Sequence, residues 1–220
     1  MVPLPLFNDP TAKPSKNPKS TAQSELFHIQ NNQFMVLSRD SNAGHGAEAT
    51  TSQYRQIDIF DITGATDIKG KTYDCATCGM MILSGQFKLW DNPLTLFVGV
   101  ASSAGVLNTA ITPAKYCSFI DYNINSQLSR FGLHNGGAQD AGLLNEKWES
   151  IGIVPVDGLV GDDDEWFVFT FSDNDFITQD GAMNGGAFPY KDASGYNIDN
   201  QALVFKIKLP EHSRPFPRSG

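Results

Sequence analysis

The chain has 220 residues, 40% of them hydrophobic and 11% aromatic, with fifteen phenylalanines, which is enough apolar side chain to pack a core in one or two domains rather than leave the polypeptide disordered. A formal charge of −8 at pH 7 leaves no basic stripe to neutralise phosphates and argues against a general nucleic-acid binder. The longest apolar run, LTLFVGVASSAGVL at 94–107, is shorter than the roughly 20 residues a membrane helix needs, so no membrane span is expected.

In chain order, residues 1–23 form a Pro- and Lys-rich segment without the basic start and continuous apolar stretch of a signal peptide. SELFHIQ (24–30) and QFMVLSRD (33–40) read as strands. A polar loop follows, with His45 between Gly44 and Gly46, and then YRQIDIFDI (54–62), which alternates with period two. Cys75 and Cys78 form a C-x-x-C without the second pair that a zinc site needs, and in an exported protein one of them would bond Cys117. The segment GMMILSGQFKLWDNPLTLFVG (79–99) departs in texture from its surroundings. It reads either as a translated intron, since its ends can be back-translated to splice signals in frame, or as an amphipathic insertion. A short helix is expected near 140–148. Strands follow at WESIGIVPV (148–156) and in EWFVFTFSDND (165–175), with GDDDE (161–165) as a solvated hairpin tip. A long loop carrying Tyr190 and Tyr196 leads to a last strand in NQALVFKIKL (200–209), and 211–220 is a tail.

Two of these stretches repeat one pattern. Residues 24–62 and 148–209 each give strand, strand, polar loop, strand, with a Glu at the mouth of the first strand and an Asp just past the second. This is the pattern of a propeller blade, and two blades with the segment between them make part of a propeller. The expected fold is therefore all-β, with propeller-like antiparallel blades in an incomplete ring. Glu25 with Asp40, and Glu149 with Asp173 and Asp175, are expected to share a rim.

LSRDSNAGHG, SQYRQIDIFDITGATDIKG, RFGLHNGGAQDAGLLNEKWES, FSDNDFITQDG and KDASGYNIDNQALVFKIKLP, with Ser24-Glu25, resemble the fungal branch of the phytase-like domain family, also described by its esterase-like activity of phytase. The resemblance covers nearly the whole chain except 79–99. It implies a propeller-like fold in a secreted protein and acidic residues that serve hydrolysis of phosphate or other esters. Family members are longer at the N-terminus, so the chain is expected to be a fragment, with residues 24–210 as a partial phytase-like domain.

The motifs of a serine-hydrolase elbow, a P-loop and a zinc protease are absent, and DYNINSQ (121–127) misses an EF-hand loop at Ser126 and Gly132. The chemistry is left to carboxylates. Glu25, Asp40, Glu149, Asp173 and Asp175 are hard oxygen ligands suited to calcium. Such an ion would offset substrate phosphates and polarise a water. The candidate catalytic residues are Asp40, His45, Glu149 and Asp173; Arg39, Arg55, His134 and Lys147 are candidates for contacting an anionic small-molecule substrate. The rival is a non-catalytic extracellular propeller that binds a partner through the same rim, or an inactive fragment of the enzyme. Acids paired with Arg and Lys would favour the rival, and acids free beside an anion cleft would favour the enzyme.

Overall fold

The computed structural model describes residues 21–40, 42–70, 111–156 and 165–209, and residue 2 besides. The 79–99 segment, Cys75 and Cys78, residues 161–164, the 211–220 tail and nearly all of the N-terminal segment lie outside the described residues.

The first sheet runs in chain order, all antiparallel, through β1 (Ala22–Gln30), β2 (Gln33–Arg39), β3 (Arg55–Asp61) and β4 (Lys115–Asp121). Asn31, at φ +48°, makes the two-residue turn between β1 and β2, a backbone region that Asn tolerates better than most residues. The second sheet is β5 (Gly152–Pro155), β6 (Glu165–Phe171) and β9 (Ala202–Lys208), again antiparallel. A hairpin of β7 (Gly181–Met183) and β8 (Phe188–Tyr190) stands in the connection between β6 and β9. The structure is thus mostly β, with antiparallel sheets. β1-β2-β3 and β5-β6-β9 follow the same order and carry their long connection in the same place, after the second strand.

Period-two alternation decides which faces meet. Met35, Leu37, Ile57 and Ile59 of the first sheet share one apolar layer with Ile153, Trp166 and Val168 of the second, closed by Leu203, Phe205 and Ile207 of β9. Tyr122 lies within this layer. Its ring meets Trp148 edge-on at 5.4 Å, and its hydroxyl donates to Thr170 Oγ1 at 3.1 Å, so a phenol is buried without an orphaned oxygen.

The helix expected at 140–148 is absent. Leu143 and Leu144, adjacent in sequence, are both fully buried. Their segment is extended and bridged to the chain at His134, where Leu144 N–H donates to the His134 carbonyl and His134 N–H to that of Gly142. A single helical turn, α1 (Asn125–Leu128), forms instead in the stretch that resembles an EF-hand loop, and a 3-10 turn continues it over Ser129–Phe131.

The two long connections are closed at the base by one device. Asp40 follows β2 directly, and its N–H donates to the Tyr54 carbonyl while its carboxylate accepts the Tyr54 N–H at 2.8 Å. Ser172 follows β6 directly, and its N–H donates to the Gln201 carbonyl while its Oγ accepts the Gln201 N–H at 2.8 Å. The counterpart of Asp40 in the second unit is therefore Ser172, one residue before the Asp173 that the sequence pattern aligns with it. Asp40 also accepts from Gln53 N–H, Asn42 N–H and the Ser52 hydroxyl, and is 1% exposed.

On the other face of the first sheet, Asp58 is fully buried. Gln56 and the Tyr116 hydroxyl both donate to its Oδ1, and Oδ2 has no partner among the described residues. Burial raises its pKa from 3.8 to about 6, against those two donors.

Asp40→Ala removes the acceptor for three N–H groups and the Ser52 hydroxyl and should cost about 2–4 kcal/mol in urea unfolding; Ser172→Ala should cost about 1–2. For Asp58 the folded pKa lies above the unfolded one, so the folded state binds more protons between pH 4 and 6 and stability falls as pH rises through that window. Asp58→Asn should therefore raise the midpoint at pH 7 by about 1 kcal/mol of stability and have little effect at pH 4, read by thermal unfolding across that range.

Candidate functional site

The acids that the sequence groups as a rim come together only in part. The isolated bridge between Trp148 and Ser172 extends the pairing of β5 with β6, with Glu149 N–H donating to the Phe171 carbonyl and Asp173 N–H to that of Lys147. With Trp148 anchored in the core, its neighbours Lys147 and Glu149 are held at the end of the second sheet beside Asp173. The Lys147 ammonium lies 3.2 Å from Asp173 and 3.5 Å from Glu149, and also pairs with Asp175. Asp175 reaches it from a left-handed backbone conformation, φ +54°. From the first sheet, Arg39 extends its Nη2 to Glu149 at 3.1 Å. A bulge at Ser24 in β1 presents that hydroxyl to Arg39 Nε at 2.8 Å and so aims the guanidinium. Three carboxylates, one ammonium and one guanidinium thus form a network that joins the two sheets.

The protonation of the network follows from these contacts. The hydrogen bond to Asp175 raises the Lys147 pKa, with Asp173 and Glu149 adding to it. Burial alone would raise Asp173, but the N–H of Asp175 and the ammonium of Lys147 outweigh it and hold the carboxyl below its usual range. The lowered Asp173 is thus held as a carboxylate, and Glu149 and Asp175 share its ammonium partner. Among the described residues no group of three or more His, Cys, Asp and Glu side chains is arranged to hold a metal ion. Three of the five carboxylates expected to ligate calcium, Glu149, Asp173 and Asp175, converge instead on Lys147, and that donor set does not fit the ion.

The other candidates lie elsewhere. Glu25 sits opposite Leu37 in β1 and accepts the N–H of its own neighbour Leu26. Asp40 is enclosed by the loop it closes, as described above. Arg55, expected at a substrate, is fully buried. Its Nη1 donates to Asn123 Oδ1 at 3.0 Å and Asn135 Oδ1 at 2.6 Å, and its Nη2 to the Leu144 carbonyl at 3.3 Å. Burial lowers its pKa to about 10, with Asp40 and Glu146 acting in the opposite direction. His134 directs Nδ1 at the Gly136 carbonyl and Nε2 at Asp140, 2.9 Å away, so both ring nitrogens face acceptors and its pKa is raised, chiefly by Asp140.

His45 has a more defined setting. Its Nδ1 lies 3.1 Å from the Oδ1 of Asn145, whose amide nitrogen donates to Ser172 Oγ and the Asp199 carbonyl. Asn145 Oδ1 must then accept, which puts the imidazole proton on Nδ1 and leaves Nε2 as the basic nitrogen. The His45 N–H donates to Glu146. A Cβ on Gly44 would lie 2.0 Å from the same Glu146 oxygen, which is why glycine precedes the histidine. Sequence reading missed Asn145 and Glu146; nothing in the motif HNGGAQDAGLLNEKW marks them, because their partners lie about a hundred residues away.

Lys147→Met leaves three carboxylates to Arg39 alone. Half-exposed ion pairs contribute modestly, so about 1–2 kcal/mol should be lost at pH 7. The sign with pH is fixed. Asp173 is lowered, so its contribution is present above the unfolded carboxyl pKa of 3.8 and is lost as pH falls through the folded value. In the variant the Asp173 carboxyl should titrate higher by NMR, and an unmoved titration would show that Lys147 does not hold it.

The chain is similar to an uncharacterized secreted protein of Arthroderma benhamiae, 45% identical over 200 residues, which cover 88% of this chain and 35% of that protein. The chain therefore spans about a third of the length of the curated relative it matches. No family model matches the chain. No solved structure matches it.

Proposed function

We propose that the chain is part of an extracellular, propeller-like β module that acts by binding a partner rather than by hydrolysis. The observation that carries this reading is the ammonium of Lys147 set among Glu149, Asp173 and Asp175, the acids on which metal-assisted hydrolysis would depend. The secreted name of the relative supports an extracellular setting. The repeated strand order and the face-to-face sheets support the propeller-like part.

The binding surface in this reading is the connection 174–200, which leaves the rim directly. It is braced by its own hydrogen bonds: Thr178 Oγ1 to Asn197, Gln179 to the carbonyls of Asp192 and Tyr196, and Asn197 to Asp180. On that frame Phe176 is 76% exposed, and the cross-strand pair Met183 and Phe188 stands exposed on the hairpin. Large apolar side chains held in water on a braced loop that also carries the Asp180 carboxylate suit a partner that offers an apolar group next to a cation.

The second reading, hydrolysis of a phosphate or other ester, follows from the resemblance to the phytase-like family and rests on His45, whose Nε2 is the basic nitrogen of a ring oriented by buried Asn145. The two readings separate in one experiment. Purified chain is incubated with phytate, p-nitrophenyl phosphate and p-nitrophenyl acetate, with and without calcium. The binding reading expects no turnover above that of His45→Ala, and turnover that His45→Ala abolishes would replace it by the hydrolase. Panning a random peptide library should enrich cationic-apolar sequences whose binding is lost in Phe176→Ser/Phe188→Ser.

A further inference from the structure

The second sheet has one face in the core and one in water, and the face in water is apolar. Trp166, Val168, Leu203, Phe205 and Ile207 point inward. Their alternates point out, and the register places them as a grid. Val154 lies beside Phe167 and Lys206, Gly152 beside Phe169 and Val204, and Phe171 beside Ala202. Phe171 and Val204 are each 51% exposed and Val154 44%. Phe167 and Phe169 touch along β6, with ring centroids 6.3 Å apart. A ridge of three phenylalanines on the central strand is thus flanked by the small residues Gly152 and Ala202. At one end the ridge stops at a charged border, where Lys206 pairs with Glu165 at 2.7 Å. A half-buried antiparallel sheet ordinarily turns a polar face to water. This one carries the ridge and flanking grooves of a face that packs on another sheet.

The other faces in the stack are covered at their centres, with Leu26 exposed at the edge of the first sheet beside Val36. The inner face of the second sheet lies on the first. The far face of the first sheet, with Val36 and Phe60, is covered by Ala114, Ile62 and Ala65. The outer layer of the stack ends in Phe171, half exposed, with Phe167 and Phe169 partly buried beside it. Its size indicates what covers it. Three strands by five residues span about 250 Å² at ordinary sheet spacings. Stable association of separate chains buries roughly 800 Å² on each partner, so a second free copy gains too little here. A tethered sheet does not face that threshold, because its tether holds it at millimolar effective concentration. In the Arthroderma benhamiae relative, the matched region is 35% of the length, so about two thirds of the polypeptide remains to supply such a sheet.

We propose that the outer face of β5-β6-β9 is a docking face for a further antiparallel sheet carried on the same polypeptide, in a form of the length of that relative. The inference rests on the propeller-like part of the reading above and adds which face continues the stack. The added sheet presents apolar side chains to Phe167, Phe169 and Phe171, with larger ones over Gly152 and Ala202.

The test compares one substitution in two contexts. In the 220-residue chain, Phe169→Lys/Phe171→Lys should leave the melting temperature within about 2 °C, since the face meets water, and the chain should sediment as a monomer. In a chimera that carries these 200 residues in place of the matched third of the relative, the same pair should lower the melting temperature by about 5 °C or more, or abolish folding. An unchanged melting temperature in both contexts overturns the proposal. So does a 220-residue dimer that the pair dissociates, which would make a second copy the occupant. Should the chimera itself fail to fold, hydroxyl-radical footprinting of the relative decides. Its residues aligned with Phe169 and Phe171 should be protected while those of the 220-residue chain are labelled, and equal labelling overturns the proposal. The binding reading fails on turnover instead, in which this face takes no part, so the two failures are distinguishable.

Discussion

The guanidinium of Arg55 holds together parts of the chain that no strand pairing reaches. It is fully buried, and its Nη atoms donate to neutral partners, two side-chain amides and one backbone carbonyl, while Nε has no partner among the described residues. A buried charge of this kind is costly unless its protons are met. Arginine suits the position because its ion is weakly hydrated and its fork reaches several acceptors at once. Here Asn123, Asn135 and Leu144 come from three separate places in the segment between the sheets. The Arg55 carbonyl also accepts from Tyr122 N–H and from the amide of Asn123, so both ends of the residue grip the same segment. Burial lowers the pKa to about 10, which still leaves the ion charged at neutral pH. The positions of Leu144, Asn145 and Trp148, and through Asn145 that of His45, follow from this anchor.

With the intervening segment fixed, the rim network has little freedom. Trp148 enters the core between the sheets and donates its Nε1–H to the Asn145 carbonyl, so Lys147 and Glu149 leave the core on either side of it. Lys147 then meets the acids of its own sheet, and Glu149 meets Arg39 of the other. An isolated exposed ion pair contributes little, but here one guanidinium and one ammonium share three carboxylates, and the ordering cost of each side chain is divided among several contacts. The network closes the end of the interface, where the apolar layer runs out.

The strands were legible because alternation is a local property. β1, β2, β3, β6 and β9 fall where runs of β-branched and aromatic residues lie, with period-two alternation in β3 and β9. β4 was missed because KYCSFID is a poorly buried strand at the sheet's edge: it alternates weakly, begins with an exposed Lys115, and shifts register by a bulge opposite Ile57 and Asp58. The helix expected at 140–148 did not form, because tertiary burial of Leu143 and Leu144 and the bridge to His134 override local preference in so short a segment. Of the candidate site, the company of Glu149 with Asp173 and Asp175 was visible as a repeated rim, whereas Arg39 and Lys147 were read as contacts for a substrate. Their mutual neutralisation was not visible, since distance between charges is set by the bridge at Trp148 and Ser172.

Asp40 shows why a repeated acid at a strand end is ambiguous. A carboxylate there has two uses, to face a ligand or to accept the N–H groups that a departing loop leaves open. The second unit meets the same geometric need with a neutral hydroxyl on Ser172. What the fold requires at this place is therefore an acceptor of the right reach, not a charge. The longer reach of Asp40 serves a loop that must also satisfy Gln53, Asn42 and Ser52, whereas Ser172 gives its remaining capacity to Asn145 and thereby to the ring of His45. The same position in the two units thus stabilises a closed loop in one and orients a histidine in the other, which makes the link from Ser172 through Asn145 to His45, rather than the acids, the part of the repeat that has diverged.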